Sequence, residues 1–210
     1  MPGVFITFEG GEGTGKSSHA RDLAESQRQT GRAVVLTREP GGSPGAEEVR
    51  TLLVTGAVTR WSADAEALLN YAARDSHLRE TIRPALARGD LVLCDRFMDS
   101  SRAYQGFAGG ADLALIDTLE RSIVGKTRPH LTLILDVDPE LGLERAKGRG
   151  ASAEDRFEKK GLDFHRKLRQ GFLDIAAREP GRCRVIDSSR PYEAVAEDIR
   201  RAVTPIAGGA

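Results

Sequence analysis

The sequence predicts a three-layer α/β fold, a parallel sheet with helices on both faces. Two observations predict it. Five short apolar or β-branched runs alternate with segments of helical period, the order that builds βαβ units. The first run is also continuously apolar instead of alternating, as a strand covered on both faces is.

The elements follow in chain order. Val4 to Phe8 is the first strand. From Gly15 to about Thr30, Ala20, Leu23, Ala24 and Gln27 fall at helical spacing, and Gly31 makes a C-terminal stop. Ala33 to Thr37 is the second strand, broken by Pro40-Gly41-Gly42. Ala46 to about Thr55 is a short helix. Asp64 to Arg88 is long and helical through Leu68, Leu69, Ala72, Leu78, Ile82 and Leu86, with Pro84 marking a kink or a new start. Leu91 to Cys94 is the third strand, ending at Asp95. Leu113 to Val124 is helical through Leu115, Leu119 and Ile123. Leu131 to Val137 is the fourth strand. Pro139 to Lys147 is a helix with proline in its first turn. Leu162 to Arg178 is helical through Leu168, Phe172 and Ile175. Arg184 to Asp187 is the last strand and Pro191 to Val203 the last helix. Two stretches show no clear period, Gly106 to Ala111 and Gly148 to Asp155. The second, rich in Gly, Arg and Ser, reads as a flap over about 148–157. Ala207 to Ala210 reads as a frayed tail. Without repeats or a linker, the 210 residues make a single domain.

Composition bounds the function. With 31 basic and 31 acidic residues the net charge is zero, so bulk attraction to nucleic acid or an anionic membrane is not supported. No apolar run approaches the ~20 residues of a membrane span. The N-terminus lacks the basic and apolar regions of a signal peptide, and the expected location is the cytoplasm. Cys94 and Cys183 have no metal-ligand spacing. The four histidines are scattered and read as structural or surface residues. Of the basic residues 25 are Arg and only six are Lys, and Lys16 alone lies in the first 125 residues. A lysine kept against that bias suggests a site that requires a compact ammonium.

That lysine closes a motif. Gly10-Gly11-Glu12-Gly13-Thr14-Gly15-Lys16-Ser17 fits G-x-x-x-x-G-K-[ST], after a strand and at the start of a helix. The glycines let backbone N–H groups wrap a phosphate chain, and the helix N-terminus adds positive potential. Lys16 would reach the β- and γ-phosphates of ATP, and Ser17 would ligate Mg²⁺. The fold class is therefore a five-stranded P-loop NTPase type with a small lid. No guanine-reading Asn-Lys-x-Asp exists, since Asn70 is the only Asn. Asp95-Arg96 ends the third strand, where ligands of open α/β sheets bind. Asp95 could orient Mg²⁺ or its waters, and Arg96 could clamp a second phosphate.

Taken together, Glu9-Gly10-x-Glu12-Gly13-x-Gly15-Lys16, Thr37-Arg38-Glu39-Pro40-Gly41-Gly42, Tyr71-Ala72-Ala73-Arg74, Asp95-Arg96 and Ala103-Tyr104-Gln105-Gly106 resemble the bacterial thymidylate kinases. Arg128-Pro129 and Leu135-Asp136-Val137 extend the resemblance, which runs from about residue 3 to 204. It implies transfer of the γ-phosphoryl group of ATP to dTMP, with Mg²⁺, in a homodimer packed through helices. A kinase of another nucleoside monophosphate or of a deoxynucleoside is the alternative. The loop from Gly10 to Ser18 would hold ATP. Glu12 would face the dTMP 3′-hydroxyl, Arg96 the dTMP phosphate and Arg74 a thymine carbonyl. Ser101 and Gln105 would read the base edge. Tyr104 would fill the place of a ribose 2′-hydroxyl, and Glu39 would line the site. The family usually carries Phe four residues before the arginine matched by Arg74, stacked on thymine. This chain has Asn70 there. Gly13 leaves the loop without an arginine, so Arg149 of the Gly148-Arg149-Gly150 segment would act on the transferring phosphate, with Arg156 second.

Overall fold

The computed structural model describes residues 3–148 and 156–207. The order is β1 (Val4–Glu9), α1 (Lys16–Gln29), β2 (Val34–Arg38), α2 (Pro44–Val54), α3 (Ala63–His77), α4 (Arg83–Ala87), β3 (Leu91–Asp95), α5 (Met98–Ser101), α6 (Leu113–Leu119), β4 (Leu131–Asp136), α7 (Pro139–Lys147), α8 (Leu162–Arg178), β5 (Cys183–Asp187) and α9 (Tyr192–Ala207). The five strands form one parallel sheet in the order β2-β3-β1-β4-β5, as expected from the alternation of patterns.

Period-two alternation divides the strand side chains between the two faces. Ile6 and Phe8 of β1, with Leu91, Leu93, Leu131, Leu133 and Leu135, meet Ala20, Leu23 and Ala24 of α1 and Val195, Ile199 and Val203 of α9. Phe5, Val92 and Cys94 face the other way, onto Ala67 and Tyr71 of α3 and onto Leu78, Ile82 and Ile116. Cys94 and Cys183 are free and buried. Register aligns the strand ends: Phe8 and Arg38 lie beside Asp95, and Asp136 lies beside Asp187. Polar side chains thus gather along the carboxyl edge, where such sheets bind ligands.

Three stretches depart from the expected helices. The Asp64–Arg88 helix is interrupted by a wide π-helical turn at Leu78–Ile82, and Pro84 opens the next short helix. Proline offers no N–H to the turn before it, and its ring would strike a carbonyl four residues back, so the coil widens there. The end of the Leu113–Val124 helix widens in the same way, over Glu120–Val124. The third departure covers part of the stretch without clear period: α5 runs on as a π-helical coil through Arg102–Ala108. Its i→i+5 bonds erase the 3.6-residue signal on which sequence reading depends. Two of the histidines are structural, as expected. His77 is bonded between Glu39 and Thr37, and His130 accepts the Phe5 N–H. Residues 208–210 of the expected tail lie outside the described residues. Among the described residues no helix is long and apolar enough to cross a membrane.

Candidate active site

The loop joining β1 to α1 is shaped by backbone-to-backbone contact. Gly13 has φ 68°, and a Cβ there would lie 1.9 Å from the Gly142 carbonyl oxygen of α7. A Cβ on Gly142 would in turn lie 2.5 Å from the Glu12 carbonyl oxygen. Only two glycines permit this approach. Lys16 is buried at the start of α1 and donates through Nζ to the Gly11 carbonyl at 2.5 Å and to Thr14 Oγ1 at 3.1 Å. Burial, with the Arg96 charge, lowers the Lys16 ammonium to about 8 against the pull of Glu12 and Asp95.

The end of β3 faces this loop. Ser17 Oγ donates to Asp95 Oδ2, and Asp95 Oδ1 is buried without a hydrogen-bond partner. One hydroxyl and one carboxylate are hard oxygen donors. They suit Mg²⁺, which keeps waters and substrate phosphates as its remaining ligands. No group of three or more His, Cys, Asp or Glu among the described residues could hold a metal by itself.

Arg96 adopts φ 69°, a left-handed conformation that costs a non-glycine residue about 1–3 kcal/mol. The backbone is held there from both sides. The Arg96 N–H donates to the Phe8 carbonyl, and the Phe97 N–H donates to Glu9 Oε1 at 2.8 Å. The guanidinium donates to Glu12 Oε1 at 3.0 Å and to the Gly10 carbonyl at 3.0 Å, and it lies over the Tyr104 ring. The Tyr104 hydroxyl donates to the same Glu12 oxygen at 2.6 Å. Burial opposes ionisation of Glu12, but the Arg96 and Lys16 charges and the Tyr104 hydroxyl hold its carboxyl down at about 2. Glu9 beneath them is buried among fewer cations. Burial and the Asp99 charge push its carboxyl up to about 7.

A cavity of about 460 Å³ runs from this cluster to the helices. Its far end is lined by Glu39, Asn70, Arg74 and Gln105, with Phe97, Tyr104 and Phe157 as its aromatic members. Arg74 of α3 is fully buried. It donates to Glu39 Oε2 at 2.8 Å and to the Phe97 carbonyl at 3.0 Å, while its Nη1 has no partner. A buried guanidinium nitrogen left open is a donor ready for a ligand oxygen. Asn70 donates through its amide to the Glu66 carbonyl at 2.8 Å.

The structure therefore brings together Glu12, Lys16, Ser17, Ser18, Glu39, Asn70, Arg74, Asp95, Arg96, Tyr104 and Gln105 around one cavity. Ser101 is buried with an unpartnered hydroxyl, and its neighbour Ser100 lines the cavity instead, bonded to Glu9. Arg149 lies outside the described residues. Arg156 is a correction. Far from facing a phosphate, it is fully buried and donates to the carbonyls of Leu53, Ala57 and Val58 and to Glu66. It satisfies the Leu53 carbonyl in the last turn of α2 and the Ala57 and Val58 carbonyls of the loop that follows. Glu9 and Glu66 are contributions that site reading did not assign. Glu9 carried a faint signal, an acid completing an apolar strand. Glu66 carried none, since an acid in a helix's first turn ordinarily answers the helix dipole.

Comparison with known proteins agrees with this geometry. A family model described as thymidylate kinase matches residues 8–199. The chain is 58% identical over 193 residues to a thymidylate kinase of Caulobacter vibrioides, covering 92% of each. It is 53% identical over 201 residues to a thymidylate kinase of Ruegeria pomeroyi, covering 96% of this chain and 94% of that one. Among solved structures it is similar to a thymidylate kinase from Ehrlichia chaffeensis, with TM-score 0.79 and 34% identity over 97% of this chain and 99% of the other.

Proposed function

The chain belongs to the thymidylate kinase family, and from that premise we propose that it transfers the γ-phosphoryl group of ATP to dTMP, giving dTDP and ADP. One observation carries the reading: a single cavity joins the Lys16 loop, the Arg96–Glu12 pair and the open Arg74 nitrogen. This shared lining supports binding a donor phosphate chain, an acceptor phosphate and an acceptor base in one cavity. An oxygen of the dTMP phosphate forms the new bond to Pγ as the bond from Pγ to the β,γ-bridging oxygen breaks, and ADP leaves. Such a transfer asks for alignment and charge stabilisation more than for covalent chemistry. The loop amides and Lys16 hold the ATP phosphates. Arg96 turns from Glu12 and Gly10 toward the dTMP phosphate. Glu12, held ionised, accepts the 3′-hydroxyl, and Arg74 donates to a base carbonyl. Ser17 and Asp95 would hold Mg²⁺, which when bound offsets phosphate charge.

The chain acts as one domain in this reading, with the segment about 148–157 as its lid and Arg149 on the transferring phosphate. The absence of an arginine from the phosphate loop supports that choice. The reading includes a homodimer packed through helices, which sedimentation equilibrium would test. The deciding experiment for the function is ADP release with ATP and Mg²⁺ across dTMP, dUMP, UMP, dCMP, AMP and GMP. Fast turnover with dTMP alone is expected. Turnover best with another monophosphate would move the substrate, with Asn70 the first place to look. Slow release indifferent to acceptor would overturn the kinase reading.

A further inference from the structure

Behind the base end of the cavity, one carboxylate organises several groups. Glu66 of α3 is 2% exposed. Its Oε1 accepts from Arg156 Nη2 at 2.6 Å and lies 3.6 Å from Lys160 Nζ. Its Oε2 accepts from Gln105 Nε2 at 3.2 Å. Its own main-chain carbonyl accepts from Asn70. Glu66 does not line the cavity, but Gln105 and Asn70 do.

An ion-paired carboxylate can only accept hydrogen bonds. The group that Gln105 turns toward Glu66 must therefore be its NH₂, and its carbonyl oxygen is the atom left for the cavity. The two ends of a glutamine amide are alike in shape and opposite in hydrogen bonding, so this orientation determines what Gln105 can recognise. Arg74, which lines the same cavity, can only donate.

We infer that Glu66 is a positioning residue for base selection: it locks the Gln105 amide so that the cavity offers an acceptor beside the Arg74 donor. The pair matches a base with an N–H next to a carbonyl, the imide edge of thymine or uracil. Cytosine presents the reverse, a ring nitrogen that accepts beside an amine that donates. Against it the Gln105 oxygen would face a lone pair and Arg74 would face an N–H. Buried mispairings of this kind are the ones that polar sites reject most strongly. Arg156 and Lys160 are the cationic partners of the same carboxylate. The inference deepens the dTMP kinase reading and rests on it.

The test is the ratio of kcat/KM for dTMP to that for dCMP in Glu66→Gln, against the unsubstituted enzyme. The new amide both donates and accepts, so Gln105 is free to turn over. A fall in the ratio of about tenfold or more is expected, with the KM for ATP unchanged and the folded circular dichroism spectrum retained. An unchanged ratio in the folded variant overturns the inference, because a purely structural Glu66 would alter thermal stability and leave selectivity alone. Should Glu66→Gln fail to fold, Glu66→Asp decides. It keeps the charge for Arg156 and withdraws it one methylene from Gln105, so the ratio should fall several-fold, and an unchanged ratio again overturns the inference. If the unsubstituted enzyme does not use dTMP at all, the function itself has failed, and that result is distinct from either of these.

Discussion

The two ends of the cavity are built from different materials. The phosphate end rests on strand termini and a short loop: Glu9 and Asp95 end β1 and β3, and Lys16 opens α1. The sheet register sets their spacing to one another. The base end rests on helix surfaces: Asn70 and Arg74 on α3, and Gln105 on the π-helical coil after α5. There a one-residue change of register turns a side chain by about 100°, and buried side-chain contacts are needed to hold each group. Glu39 holds Arg74, and Glu66 holds Gln105. Strand termini set the positions at the phosphate end, with side-chain bonds such as Arg96 to Glu12 added to them, whereas at the base end the precision comes from side-chain bonding. The expected consequence is that the reaction type is robust to substitution around the base, whereas selectivity is not.

The sharpest way to break this contrast is Lys16→Ala. It should lower kcat by at least about a hundredfold, since it removes a positive charge aimed at the transferring phosphate, while circular dichroism shows an intact fold. Retained turnover would remove the loop from the mechanism. Next comes Arg96→Ala, expected to raise the KM for dTMP by about a hundredfold through loss of a charge-assisted phosphate contact. A KM equal to that of the unsubstituted enzyme in steady-state assays would take Arg96 out of the phosphate site.

Glu9 sharpens the comparison through pH, because it lies under the phosphate end alone. Its carboxyl is raised from 4.5 to about 7 by burial and the Asp99 charge, so the folded protein prefers the protonated form. The stability from that preference, ~3 kcal/mol in total, is fully present below pH 4.5 and is lost as pH rises through 7. Glu9→Gln stays neutral throughout. Calorimetry should show its Tm gaining on that of the unsubstituted protein as pH rises from about 4.5 to 7.5. Parallel Tm curves would refute the assignment. The smallest effect belongs to Asn70→Phe at the base end. An added stacking face is worth about 0.5–1.5 kcal/mol, which predicts a dTMP KM lower by roughly two- to tenfold with kcat unchanged. An unaltered KM would mean that the base is already held by other faces, such as Phe97 or Tyr104.

The same division governs what could be read without a structure. All five strands and the phosphate loop were legible, because the inner strands are buried apolar runs, the edge strands β2 and β5 keep β-branched residues between turn signals, and a glycine-rich turn between strand and helix is a local pattern. The helix interruptions at Leu78–Ile82 and Glu120–Val124 were not, because a single wide turn leaves the i, i+4 apolar spacing of Leu78-Ile82-Leu86 and Leu115-Leu119-Ile123 in place. The coil through Arg102–Ala108 was not, because its run of wide turns leaves no regular period. Arg74 and Gln105 entered through motifs. Glu39, which holds Arg74, entered the same way. Glu66 did not, since Glu66 and Gln105 are 39 positions apart in the chain and meet only through packing. Arg156 shows the opposite failure. An arginine beside a glycine-rich flap suggests a phosphate ligand, yet its guanidinium is consumed by three main-chain carbonyls and Glu66.

The contact between Gly13 and Gly142 also limits which descendants of this sequence can exist. An arginine at position 13 would strain this arrangement, because even a methyl group there would collide with the Gly142 carbonyl of α7. Accommodating that arginine would require the loop and α7 to separate. In this chain any arginine for the transferring group must come from outside the phosphate loop, and a side chain at either glycine would push the loop and α7 apart.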